Sequence, residues 1–115
     1  MSSPFAQQLD TLIRQRGVLG CLIVGERDGI IVDANLQVGV DGRAVAALAA
    51  SLYRRARLSA DAAGLGAVRF LQLEAEHGHI WAAGRDELVL VTIAESRAHA
   101  GRIRATMLQL AEALT

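Results

Sequence analysis

The run Leu19 to Val24 is short, rich in branched residues, and apolar at both odd and even positions, with Leu19, Cys21 and Ile23 set against Leu22 and Val24. Strand side chains alternate between the two faces of a sheet, so a run of this kind needs cover on both sides. Helices are therefore expected above and below the sheet that contains it. A second apolar run, Ile30 to Val32, follows across Gly25-Glu26-Arg27-Asp28-Gly29, where Asp-Gly favours a tight turn, and the two runs predict a hairpin. Leu88-Val89-Leu90-Val91 repeats the two-faced pattern and is expected at the centre of the sheet.

Three later strands, Val68 to Ala75, Ile80 to Ala83 and Leu88 to Ala94, are divided by His77-Gly78 and Gly84-Arg85-Asp86-Glu87 and predict an antiparallel meander. The first of them carries polar groups on both faces and reads as an edge. A first helix is expected from Ser3-Pro4, with Ser3 as cap, through Phe5, Leu9, Leu12 and Ile13 to closure at Gly17. A second runs from about Asp41 to Ala63 on the stripe Val45, Leu48, Leu52 and Ala56. A third opens on Ser96 and buries Ile103, Met107, Leu110 and Leu114. The expected order is αββαβββα, of the α/β (α+β) class, in a single domain over residues 1–115 without repeats or linkers.

Composition narrows the function. Twelve basic residues balance twelve acidic ones, which leaves no overall field to attract nucleic acid or an anionic membrane. All twelve are arginine, so chemistry that needs an amine is removed: Schiff bases, pyridoxal phosphate attachment and the lysine of a nucleotide-binding P-loop. The lone Cys21 cannot form an internal disulfide, and Met1-Ser2-Ser3-Pro4 lacks the features of a signal peptide. No apolar run approaches the roughly eighteen residues that span a bilayer. A cytoplasmic chain without membrane insertion is expected.

Nothing in the sequence nominates a catalytic residue, a cofactor or a metal. His77 and His79 alone leave a zinc site short of ligands and read as a polar turn. Ser51 and Ser59 have no nucleophile elbow, Ser59-Ala60-Asp61 reads as local capping or a turn, and Asp28, Asp33, Glu74 and Glu76 have ordinary solvated roles. Gly17, Gly20 and Gly25 flank a strand that leads into a hairpin, which is the wrong order for a phosphate-binding fingerprint.

The second helix carries two open features. Ala46, Ala47, Ala50 and Ser51 form a small uncharged surface opposite its expected apolar stripe. Either alanine serves there as a helix former or a second helix approaches closely. Arg54, Arg55 and Arg57 either complement the helix dipole or form the rim of an interaction surface.

The order of elements, the segment Gly25-Glu26-Arg27-Asp28-Gly29-Ile30-Ile31-Val32-Asp33-Ala34, the alanine-rich helix after it, Gly64-Leu65-Gly66 and the meander ending Leu88-Val89-Leu90-Val91 together resemble the roadblock and dynein light-chain 7 family. The resemblance implies a three-layer α/β/α sandwich with a five-stranded antiparallel sheet, the second helix on one face and the terminal helices on the other. It further implies a homodimer joined edge to edge through the third strand, with the two second helices side by side. Bacterial members of the family often accompany a Ras-like small GTPase, and eukaryotic relatives act as motor light chains or GTPase scaffolds. The family has no catalytic residues to carry over. Position alone nominates Val68, Phe70 and Gln72 with Ala47, Ala50 and Ser51 for the dimer seam, and Arg54, Arg57 and Leu58 for the GTPase face. The resemblance thus implies a non-catalytic homodimeric adaptor that binds and regulates or scaffolds a Ras-like small GTPase. Two other readings stand beside it: a self-assembling scaffold that uses both sheet edges, and a sensor or enzyme on the same fold, which needs an enclosed pocket with converging polar groups.

Overall fold

The structure is a computed structural model that describes residues 4–114. Its elements are α1 (Ala6–Ile13), β1 (Val18–Gly25), β2 (Ile31–Leu36), α2 (Gly42–Ala62), β3 (Leu71–Ala75), β4 (Gly78–Arg85), β5 (Leu88–Ala94) and α3 (Ala100–Ala111). The order is αββαβββα, and the five strands form one antiparallel sheet in the order β2-β1-β5-β4-β3. The two strands with apolar residues on both faces, β1 and β5, lie side by side inside the sheet, as their patterns require.

Each face of the sheet has its own core. Cys21, Ile23, Trp81, Ala83 and Leu90 meet Leu9 and Leu12 of α1 and Ile103 and Met107 of α3. Leu22, Val24, Ala82, Val89 and Val91 meet Ala46, Ala49, Ala50 and Tyr53 of α2. The result is the expected three-layer α/β/α sandwich. The turn between β1 and β2 is closed by Gly29 at φ +70 and by the Asp28 carboxylate, which accepts the Ile30 amide at 3.0 Å.

Several expectations need correction. Leu19 does not share the face of Cys21 and Ile23. The β1–β5 register shifts between Val18 and Gly20, and Leu19 joins Leu48, Leu73, Ile80 and Ile93 on the α2 side. The second helix is capped by Asp41, whose side chain accepts the Ala44 amide at 3.1 Å, but it is rotated relative to the expected stripe. Its small side buries Ala46, Ala49, Ala50 and Tyr53, while Leu48 is exposed and Val45, Leu52 and Ala56 are half-buried. A sheet face already filled by Leu22, Val24, Val89 and Val91 accepts small residues, which let the helix axis approach closely.

The third strand starts at Leu71, so Val68 and Phe70 precede it. His99, not Ser96, caps α3, accepting the Arg102 amide on Nδ1 at 3.3 Å. Gly17 does not close α1, which ends at Ile13; at φ +88 it turns the chain into β1 instead. Ser59-Ala60-Asp61 lies within the last turns of α2. The expected Ser3 cap lies outside the described residues.

Candidate interaction surface

The two sheet edges differ. Along β3 the ladder to β4 runs without a register shift from Leu71↔Ala82 to Ala75↔Gly78, so its outer rim of amides and carbonyls is regular. Along β2 the ladder to β1 shifts between Ile23 and Val24, where Asp33 and Ile31 are the successive partners and Val32 is passed over. A bulge of this kind twists an edge and blunts it toward further pairing.

Beside the β3 edge, on the α2 side, lies an open apolar cleft of about 380 Å³ in which Leu19, Leu48, Leu73, Ile80 and Ile93 converge. Leu48 is 43% exposed. It belongs to a flank of α2 that faces away from Arg57 by the helical period. The sequence pattern points to neither Leu48 nor Leu73 as part of this surface: Leu48 fits the expected core stripe, whereas Leu73 is detectable as the partner of Leu71 in an alternation with Gln72 and Glu74.

Of the nominated seam residues, Ala47 is exposed and Ser51 half-buried on the outward side of α2, whereas Ala50 is 2% exposed and packs on the sheet. Ala50 is thus part of the chain's own core. Gln72 is exposed on β3, and its amide donates to the Glu74 carboxylate at 2.6 Å. The Val68 carbonyl accepts the Tyr53 hydroxyl at 2.7 Å, and Phe70 lies under the Arg104 guanidinium, 5.2 Å from the ring centroid. Both residues are therefore held by α2 and α3 of the same chain.

Arg54 and Arg57 come together, but against their own chain. Arg54 Nη1 donates to the carbonyls of Arg27 at 2.9 Å and Glu26 at 3.4 Å, and Arg57 Nε pairs with Glu26 Oε1 at 2.6 Å. The Glu26 amide in turn donates to the Glu87 carbonyl at 2.9 Å, so α2 is fastened to two turns of the sheet. Both arginines lie well before the end of the helix, and its last turn holds no basic residue, which sets aside the helix-dipole explanation. Leu58 is 56% exposed and stands apart from this latch.

The groups weighed for chemistry are dispersed. Among the described residues no three His, Cys, Asp or Glu side chains are placed to share a metal ion. His79 stacks on Trp81 with centroids 5.3 Å apart, while His77 is exposed beside Glu76 at 3.8 Å. The buried Cys21 thiol donates to the Leu9 carbonyl at 3.3 Å, and burial, reinforced by the Asp33 carboxylate, pushes its pKa up to about 12. A thiol in that state is a poor nucleophile. No described helix is long and apolar enough to cross a membrane.

Comparison with known proteins agrees with this architecture. The Roadblock/LC7 domain profile matches residues 5–94. The uncharacterized protein MJ1340 of Methanocaldococcus jannaschii is 31% identical over 101 residues, covering 88% of this chain and 88% of that protein. A Roadblock/LC7 domain from Streptomyces avermitilis superposes with a TM-score of 0.85 at 19% identity, covering 97% of this chain and 95% of that one. MglB from Myxococcus xanthus superposes at 0.82 with 18% identity, covering 98% and 95%. At such identities the solved structures carry the fold, and the profile match, with the relative above it, carries the family. On these grounds the chain belongs to the Roadblock/LC7 domain family.

Proposed function

We propose that this chain is a non-catalytic, homodimeric, cytoplasmic adaptor that binds a Ras-like small GTPase. The observation that carries the reading is the regular outer rim of β3, unpaired among the described residues, next to the cleft of Leu48, Leu73, Ile80 and Ile93. Backbone groups on such a rim gain partners when a second copy adds its own β3, and the apolar residues alongside lose water at the same step. The blunted β2 edge favours a closed pair over a growing array, which ranks the scaffold reading second.

Pairing through β3 sets the two α2 helices next to each other. Ala47 and Ser51, with Gln72 on the strand, then line the seam together with Leu48 and Leu73. The partner surface is the outward side of the paired helices, with Leu58 as its apolar contact and the part-exposed guanidiniums of Arg54 and Arg57 at its rim. The GTPase as partner rests on the family resemblance and on this exposed surface.

Light scattering after size-exclusion chromatography tests both parts. The chain alone elutes as a dimer, and the mixture with a GTP-loaded Ras-like GTPase gains the mass of that partner. A monomer that ignores both partner and nucleotide would remove the proposal and leave the fold.

A further inference from the structure

We propose that the concavity between the α1–β1 connection and the start of α3 is an anion site for a small phosphate-bearing compound. The hollow encloses about 600 Å³, and Gln15, Arg16, Glu95, Arg97, His99 and Arg102 supply its polar walls. Three arginines and one glutamate thus line the hollow, a local excess of positive charge in a chain whose basic and acidic residues balance overall. Among the described residues none of these three guanidiniums has an ion-pair or hydrogen-bond partner.

The backbone beneath them is built to hold this arrangement. The Glu95 amide donates to the Gly17 carbonyl at 2.8 Å, which ties the two loops together. Gly17 has φ +88, and a Cβ there would stand 2.8 Å from Ala98 Cβ, so only glycine permits the contact. Arg16 precedes Gly17 and Arg97 precedes Ala98, so both arginines spring from the fastened pair. Arg102 occupies the first turn of α3, where the helix dipole disfavours a cation and the turn itself holds no acidic residue. Three cations that repel one another beside the positive end of a helix are stabilised together by one bound anion.

The donors suit phosphate. Planar guanidiniums bind its oxygens in pairs. The amides of Ala100 and Gly101 make no hydrogen bond among the described residues. His99 Nδ1 accepts the Arg102 amide, which leaves the ring proton on Nε2 as a further donor. The apolar lining is confined to Ala98 and Ile103, and the one ring among the lining residues, the His99 imidazole, is held by the Arg102 amide as the cap of α3. The ligand is therefore mostly phosphate, either a free solute or a lipid headgroup. The hollow lies on the α1/α3 side of the sheet, opposite α2, so this proposal does not depend on the dimer or on the GTPase.

Calorimetric titration of the full chain with inorganic pyrophosphate, at ionic strength held constant with sodium chloride, tests it. Saturable binding is expected, weakened roughly tenfold by Arg97→Gln and again by Arg102→Gln, with thermal melting of the free variants no lower than that of the parent chain. Arg85→Gln, an exposed arginine at the far end of β4, leaves the affinity as it was. Sedimentation with phosphatidylcholine vesicles, with and without phosphatidic acid, separates the two sources. Pyrophosphate binding with inert vesicles assigns a free solute. Sedimentation that requires phosphatidic acid and is abolished by Arg97→Gln assigns a headgroup. No binding in either arm, or binding that Arg85→Gln weakens as much as Arg97→Gln, overturns the proposal.

Discussion

Single side chains explain much of the packing, and two of them make measurable predictions. Burial, reinforced by Asp33, raises the Cys21 thiol from 9.0 to about 12. The unfolded chain releases this proton near pH 9.0 while the folded chain keeps it, so the associated stability is intact below that pH and is lost as the pH climbs toward 12. Urea midpoints followed over that range should fall less steeply for Cys21→Ala than for the parent chain, and parallel slopes would acquit the thiol. Gly84 and Tyr53 form the second case. A methyl group on Gly84 would overlap the Tyr53 ring, whose hydroxyl is fixed by the Val68 carbonyl at 2.7 Å. Tyr53→Phe should cost about 1 kcal/mol through the lost hydrogen bond. Gly84→Ala should cost about 2–3 kcal/mol by overpacking, and less in a Tyr53→Leu background, because the two sites share one contact. Additive losses in denaturant titrations would show that the ring yields freely. Through Val68, this contact also steadies the chain where it enters β3.

Among the elements, α2 is where structure departs most from expectation, and it shows what a sequence can and cannot display. The hydrophobic period located the helix and Asp41 located its start, because both signals are local. Its rotation was not legible, since the large residues Leu48 and Leu52 outweigh alanine in any apolar pattern, whereas the sheet face selects for closeness. The same limit applies to β3, where Val68 and Phe70 look like strand but are drawn off by Tyr53 and Arg104 from distant parts of the chain. The order of elements along the chain and the two-faced centre were readable because they follow from alternation and turn residues, which are local. The latch between α2 and the β1–β2 turn was invisible for a related reason: nothing near Arg57 in sequence announces Glu26. The Glu26 side chain is 10% exposed and its partner 47%, so the attraction is partly screened, and the main cost of breaking the pair is the stranded carboxylate. Arg57→Ala should therefore destabilise the fold by about 1–2 kcal/mol, with part of this recovered when Glu26→Gln is added. A double-mutant cycle by chemical denaturation measures it, and a zero coupling energy would mean that the 2.6 Å contact does not hold the helix.

For the molecule as a whole, the arrangement separates two kinds of surface onto opposite faces of one sheet. The α2 side beside β3 is apolar and bordered by an open backbone rim, while the far side collects guanidiniums that have no partner among the described residues. Their responses to salt should differ. Pairing through β3 joins backbone groups and removes Leu48 and Leu73 from water, so the dimer mass should hold as ionic strength rises, whereas pyrophosphate binding should weaken once the screening length falls to about 3 Å near 1 M salt. The decisive variant combines Leu48→Glu with Leu73→Glu. Both side chains are solvent-accessible in the single chain, so the fold should melt nearly as before, yet two carboxylates per copy would be buried unpaired at the seam. Light scattering should then report a monomer. If the GTPase contacts both α2 helices at once, this monomer should also lose it, because half of a composite surface gives only part of the contact free energy. A monomer that still captures one GTPase would confine the binding surface to a single α2, and an intact dimer would place the seam elsewhere on the molecule.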